Sequence, residues 1–387
     1  MTMRRPLAQR TLTLAASTIS LAAALLSTAA TAPQAMAQSR TTVPSPARTF
    51  RADSFWDHRW VRGGADEDEL LIEPRFIAVS GSVVTVLDLG SREVLAVNAQ
   101  TGKTLFTKQA RGAGPGEFKR PAFLLGTTNQ FGVLDHETAR FSMFSTLGTL
   151  VWDAPVLNAF DVEGACALPN ARVLLKSAGF DKSLTLIDST GKVRLAASLP
   201  RIDQTVEPPS FTETAHMAGP FAGDRCAVVP IFGARWYAVD ARGTVTPHAY
   251  VVAGENPVVQ VTLKVLEKRG RDEVQRQTQT TTATPIASGT MHRGDTLIVI
   301  SGSGRTDAGR ILDYYALPSG RYVYSRRLPM SFTSLTIAPN GTFYGTVIGP
   351  DWSAITALLP TRSAPSREKA PRPRRLSPGA RPRLAGE

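Results

Sequence analysis

The chain has 387 residues, 42% of them hydrophobic and 20% charged, with a formal net charge of +12. That length suits two domains or one large repeat domain. The charge sits mainly at the ends: residues 1–37 carry +3 and residues 361–387 carry +6, which leaves +3 for residues 38–360, so the folded part is nearly balanced and does not have the charge of a nucleic-acid binder.

Residues 1–37 read as an export signal. Arg4, Arg5 and Arg10 make a basic start, Thr11 to Thr31 is uncharged and rich in Ala and Leu, and Ala35-Met36-Ala37 is a small-residue cleavage site before Gln38. The other reading is an uncleaved membrane anchor. Thr and Ser dilute the apolar run, and the cleavage site favours removal near Ala37, which gives a periplasmic or secreted protein. Residues 38–69 form an N-terminal segment. From Arg48 to Arg62 it alternates weakly and holds Phe50, Phe55, Trp56 and Trp60, before a polar break from Gly63 to Glu69.

Residues 70–360 repeat. Short strand-like runs flank turns at Gly81, Asn129, Asn170, Asp224, Asp295 and Asn340, spaced by 48, 41, 54, 71 and 45 residues. Five of these six units carry a later turn glycine: Gly102, Gly148, Gly191, Gly243 and Gly320. Gly112 to Gly148 shows the unit most clearly. A shaped loop, Gly112-Ala113-Gly114-Pro115-Gly116-Glu117-Phe118, precedes the runs Ala122–Leu125, Phe131–Asp135, Arg140–Ser145 and Thr149–Trp152. Four short antiparallel strands in about forty residues is the size of one propeller blade, so six units predict an all-β, six-bladed β-propeller. The sixth unit lacks a fourth strand, and an open edge invites aggregation. The segment 48–62 is the natural donor of that strand.

The long fourth interval holds an insertion at about 256–282. Val259 to Val265 alternates as a strand does, Leu263 and Leu266 also fit a short amphipathic helix, and Gln275 to Thr284 is polar. Thr361 to Glu387, with eight Lys/Arg, two Glu and five Pro, has almost nothing to bury and is expected to stay disordered. It serves either as a solvated tail or as a contact for anionic envelope polymers or lipids.

The loop Gly-x-Gly-Pro-Gly-Glu-Phe-x-x-Pro, followed by Val133-Leu134-Asp135 and the closing Gly148, resembles the NHL-type and TolB-like six-bladed propellers of secreted bacterial proteins. The resemblance implies a fold and no single activity, since the group includes binding modules, scaffolds and some lyases and hydrolases. It leads us to expect a monomeric binding or scaffold module of the cell envelope, acting on a protein or other envelope ligand, with no cofactor. The alternative is a propeller enzyme of lyase or lactone-hydrolase type with a metal in its channel.

Chemistry-bearing motifs are sparse. There is no G-x-S-x-G elbow, H-E-x-x-H pair or P-loop. The five histidines, His58, His136, His216, His248 and His292, are scattered. Asp88, Asp135, Asp188 and Asp240 recur near strand ends, where such residues accept backbone hydrogen bonds. Within the loop, Phe118 is expected between two blades, with Glu117 accepting loop N–H bonds or pairing with Arg111 or Lys119. Cys166 and Cys226 fall at equivalent places in successive units and either form a disulfide or remain two buried thiols.

Overall fold

The computed structural model describes residues 48–51, 55–64, 71–109, 112–178, 183–200, 214–231, 235–249, 259–265, 277–283, 285, 287–302, 309–317, 319–350 and 352–361. The export signal, its cleavage site and the basic tail lie outside the described residues. The described chain is almost wholly β, with one three-residue 3-10 turn at Ala159–Asp161.

The first strand, β1 (Phe55–Gly63), is held for the end of the ring. Blade one is β2 (Pro74–Ser80), β3 (Val83–Asp88), β4 (Glu93–Asn98) and β5 (Thr104–Gln109). Blade two is β6 (Pro121–Gly126), β7 (Gln130–Asp135), β8 (Arg140–Ser145) and β9 (Leu150–Pro155). Blade three is β10 (Val162–Leu168), β11 (Arg172–Ser177), β12 (Leu184–Asp188) and β13 (Val193–Ala197). Blade four is β14 (Ala215–Phe221), β15 (Arg225–Pro230), β16 (Arg235–Asp240) and β17 (Val245–Ala249). The insertion is a separate two-stranded hairpin, β18 (Val259–Val265) with β19 (Gln277–Ala283). Blade five is β20 (Ala287–Arg293), β21 (Thr296–Ser301), β22 (Ile311–Ala316) and β23 (Arg321–Arg327). Blade six is β24 (Ser334–Ile337), β25 (Phe343–Ile348) and β26 (Ser353–Thr361), with β1 as its fourth strand.

Burial follows strand position. The second strand of blade one, Val-Val-Thr-Val-Leu-Asp, is buried at every residue, because a neighbouring blade covers each of its faces. The fourth strand, Thr-Leu-Phe-Thr-Lys-Gln, alternates between exposed and half-buried, because solvent covers its outer side. Six hydrophobic clusters form among the described residues, one at each blade interface. The later turn glycines Gly102, Gly148, Gly191, Gly243 and Gly320 all have φ between 70° and 82°, so each sits where a side chain would be strained.

The sequence predicts ring closure by segment 48–62, and β1 does pair antiparallel with β26 from Phe55↔Thr361 to Gly63↔Ala354. The closure also reaches one blade further. Before β1 begins, the Thr49 carbonyl accepts from Ser325 N–H (2.9 Å) and Arg51 N–H donates to the Ser325 carbonyl (3.1 Å), so residues 49–51 lie parallel along the outer edge of blade five. The N-terminal segment is therefore a strap across blades five and six. Residues 259–265 are a strand and not a helix, and the polar run around Gln277–Ala283, without apolar alternation of its own, pairs with them residue for residue.

Candidate functional site: the central channel

The first strands of all six blades surround one cavity of about 690 Å³. Its charges stand toward the ends. Arg75 and Glu163 lie near the starts of β2 and β10, and Arg293 closes β20. Between them the wall is apolar or hydroxylic, with Phe76, Phe123, Met217, Thr290 and Thr336. Phe76 and Phe123 meet edge to face with ring centres 5.5 Å apart, joining blades one and two at the channel.

Bulges shape the channel's rim. In β2, β6, β10 and β20 the register slips at the second residue, which is Arg75, Ala122, Glu163 or Ser288. A bulge re-aims a side chain without breaking the blade. In β14 the slip lies instead between Ala218 and Phe221, where Gly219-Pro220 is cis. Glu163 is held by a lysine inside the protein: Lys176 has no solvent exposure, its Nζ stands 3.6 Å from Glu163 Oε2, and it also donates to the Ser177 carbonyl.

Two of the five histidines reach the channel. His216, at the start of β14, has an Nε2 that is buried with no hydrogen-bond partner. Burial lowers its pKa to about 4, so the ring is neutral at physiological pH. His292, near the end of β20, also has its pKa lowered by burial, opposed by the nearby Pro220 backbone. Among the described residues no three His, Cys, Asp or Glu side chains come together as a metal would require.

A pH prediction arises here. His216 titrates near 4 folded and near 6.5 unfolded, so the unfolded chain takes up the proton first. Stability due to the neutral ring is fully present above pH 6.5 and is lost as pH falls toward 4, by up to about 1.4 kcal/mol per pH unit. His216→Asn should flatten this part of a stability-against-pH profile measured by urea unfolding. An unchanged slope would assign the acid sensitivity to other groups.

The remaining sequence-selected residues lie elsewhere. Gly112, Gly114, Pro115, Gly116, Glu117 and Phe118 make the connection between blades one and two and do not line the channel. Phe118 is 1% exposed and packs with Leu87 and Val94 of blade one and Phe131 of blade two. The Glu117 carboxylate curls back to accept from Gly114 N–H at 2.9 Å, and a Cβ at Gly112 would collide with it. Lys119 pairs with Glu137, 3.4 Å away, rather than with Glu117.

The aspartates divide into two kinds. Asp88 and Asp135 end second strands and accept from the incoming loops, at Ile72 and Glu73 N–H and at Lys119 and Arg120 N–H. Asp188 and Asp240 end third strands and cap their own turns through Thr190 and Thr244 N–H. The tryptophans are dispersed: Trp56 and Trp60 pack against blade six, Trp152 stacks on Phe141, and Trp236 stacks on His248. The sulfurs of Cys166 and Cys226 are bonded, with Cα atoms 6.2 Å apart, which staples blade three to blade four.

No protein-family model matches the sequence, and no curated protein matches it. Solved structures of similar architecture are distant. An exported protein of Bacteroides fragilis is 11% identical over 79% of this chain and 96% of its own, with a TM-score of 0.48. A streptogramin B lyase is 10% identical over 80% and 99%, also at 0.48. BamB of Moraxella catarrhalis is 12% identical over 81% and 93%, at 0.38. Among the described residues no helix is long and apolar enough to cross a membrane.

Proposed function

We propose that this chain is an exported, non-catalytic binding module of the cell envelope that takes its ligand in the central channel. One observation carries the reading: the first strands of all six blades surround a cavity of about 690 Å³ whose wall between the terminal charges is apolar or hydroxylic. The cavity volume is that of a small-molecule site. Its mid-section, uncharged and partly aromatic, fits a neutral and mainly apolar molecule carrying one hydrogen-bonding group.

Export rests on the N-terminal sequence and is supported by the Cys166–Cys226 bond, which persists in an oxidising compartment. Ring closure within one chain supports a monomer. NHL-type or TolB-like kinship remains the family reading that best accounts for the Gly112–Phe118 loop.

The test is a thermal-shift screen of neutral small molecules against the protein and against Thr336→Trp. Thr336 alternates with the buried Leu335 and Ile337 on β24 and lines the cavity. An indole there should fill the channel while leaving the blade's packing in place. Compounds that raise the melting temperature of the parent and not of Thr336→Trp are expected. Hits that stabilise both equally, or no hits at all, would remove the channel as the binding site.

A further inference from the structure

The net charge of residues 38–360 is small, but it is not evenly placed. Strands alternate in direction, so the turns from first to second strand and from third to fourth strand lie at one end of every blade. At that end Asp188 pairs with Arg194 and Asp240 with Arg242. Six further cations stand there: Lys103 of blade one, Arg172 and Lys192 of blade three, Arg225 of blade four, and Arg293 and Arg321 of blade five. None of the six makes an ion pair among the described residues. The acidic side chains of the described turns that remain to offset them are Asp224 and Asp295. Arg59 and Asp57, early in β1, pair with each other and cancel. This end of the propeller therefore carries +4.

Two further observations belong to the same end. β26 runs toward it and finishes at Thr361, so the residues that follow, with a net +6, are attached here. Residues 38–387 carry +9 in all, so this end and the tail account for more than the whole, and the remainder is −1. The two blades without an unpaired cation here each show an apolar side chain instead. Leu147, in the third turn of blade two, is 83% exposed, and Phe55, which starts β1 beside Thr361, is 43% exposed.

We propose that this end of the propeller is a docking surface for an anionic lipid bilayer. Its cations are spread over four blades around the channel mouth, so they match a broad anionic surface. Each cation within a screening length of such a surface strengthens binding about five-fold. Leu147 and Phe55 supply apolar contacts that a headgroup layer accepts and a soluble polyanion does not. The tail adds charge at the same side and does not replace the face. The surface lies on the turns and not in the channel, so the proposal does not depend on the channel-binding reading.

The experiment is flotation of the full chain with vesicles of phosphatidylcholine alone and of phosphatidylcholine mixed with phosphatidylglycerol, at low ionic strength. The parent is compared with a variant carrying Lys103→Gln, Lys192→Gln, Arg225→Gln and Arg321→Gln. A second variant carries Arg92→Gln, Lys119→Gln, Arg120→Gln and Arg235→Gln, which remove the same charge from the opposite end. All eight side chains belong to exposed residues, so both variants should keep the parent's melting temperature. The parent is expected to float with the phosphatidylglycerol vesicles alone, and to be released at about 1 M salt, where the screening length falls to about 3 Å. The first variant should bind about ten-fold or more weakly, and the second like the parent. The single change Leu147→Ser, on a side chain that packs against nothing in the core, should weaken binding a few-fold. No flotation of the parent overturns the proposal. Parent-like binding by the first variant overturns it in favour of the tail alone, and equal weakening of both variants overturns it in favour of net charge without a face. Polyglutamate that binds the parent as tightly as the vesicles do, with Leu147→Ser unchanged, overturns it in favour of a soluble acidic partner.

Discussion

A chain lacking residues 38–63 is expected not to form a cooperatively melting propeller. These residues include the only fourth strand blade six has, and the pairing of Phe55–Gly63 with Ser353–Thr361 is what closes the ring. The strand also carries two indoles that tie blades together. Trp56 is 7% exposed, meets Phe343 edge to face with ring centres 5.3 Å apart, and donates from Nε1 to the Arg327 carbonyl of blade five at 2.8 Å. Trp60 donates to the Ala99 carbonyl of blade one at 3.0 Å. Without the strand, β26 is left as an unpaired edge over an exposed apolar face, and aggregation competes with folding. Circular-dichroism melting and size-exclusion chromatography of the truncated chain measure this. A melting temperature equal to the parent's would show that the ring holds without its strap.

Arg48→Ala is expected to destabilise the fold by about 3–5 kcal/mol, because it leaves a buried carboxylate without its cation. Arg48 Nε and Nη2 each approach the Asp313 carboxylate at 3.0 Å, and Nη2 also donates to Ser301 Oγ at 2.9 Å. The Asp313 side chain is 1% exposed, and its other described bond is from Ser325 Oγ at 2.5 Å. The surface pair Arg75–Glu73, with side chains 50% and 41% exposed, makes a contact of 2.8 Å and by contrast should contribute under about 1 kcal/mol. Urea unfolding of Arg48→Ala, Asp313→Ala and the double variant separates the contributions. The double variant should be less destabilised than the two single losses added together, since it strands no buried charge. Simple additivity would mean that the strap lifts away and lets water reach Asp313.

The blade pattern was legible because it is local. Each hairpin is marked by its own turn residues and each buried strand by a run such as Val83–Leu87, so periodicity alone places six units and most of their turns. The missing fourth strand in the last unit was legible for the same reason: a count of strand-like runs left one edge unpaired. The added parallel contact of residues 49–51 with blade five was not. Arg48 meets Asp313 across 265 positions, and neither residue stands out among its sequence neighbours. The hairpin partner Gln277–Ala283 was obscured because Gln and Thr lack the apolar alternation that signals a half-buried strand.

The candidate sites divide in the same way. Motif-like residues such as Gly112, Gly114, Glu117 and Asp135 proved to hold loop geometry, because glycine turns and side-chain-to-backbone bonds are local chemistry. The channel wall takes two to six residues from each of six strands, and His216 looks like any other isolated histidine until the ring closes around it.

The sequence by itself determined the fold class, the number of blades and the need for an N-terminal strand, because these follow from turn chemistry and strand periodicity a few residues apart. Only the tertiary structure decided which side chains share a cavity, which charges are buried with a partner and which histidine nitrogens, those of His136 and His216, are left without one. Those properties depend on distance and dielectric between strands far apart in the chain, and no local pattern encodes them.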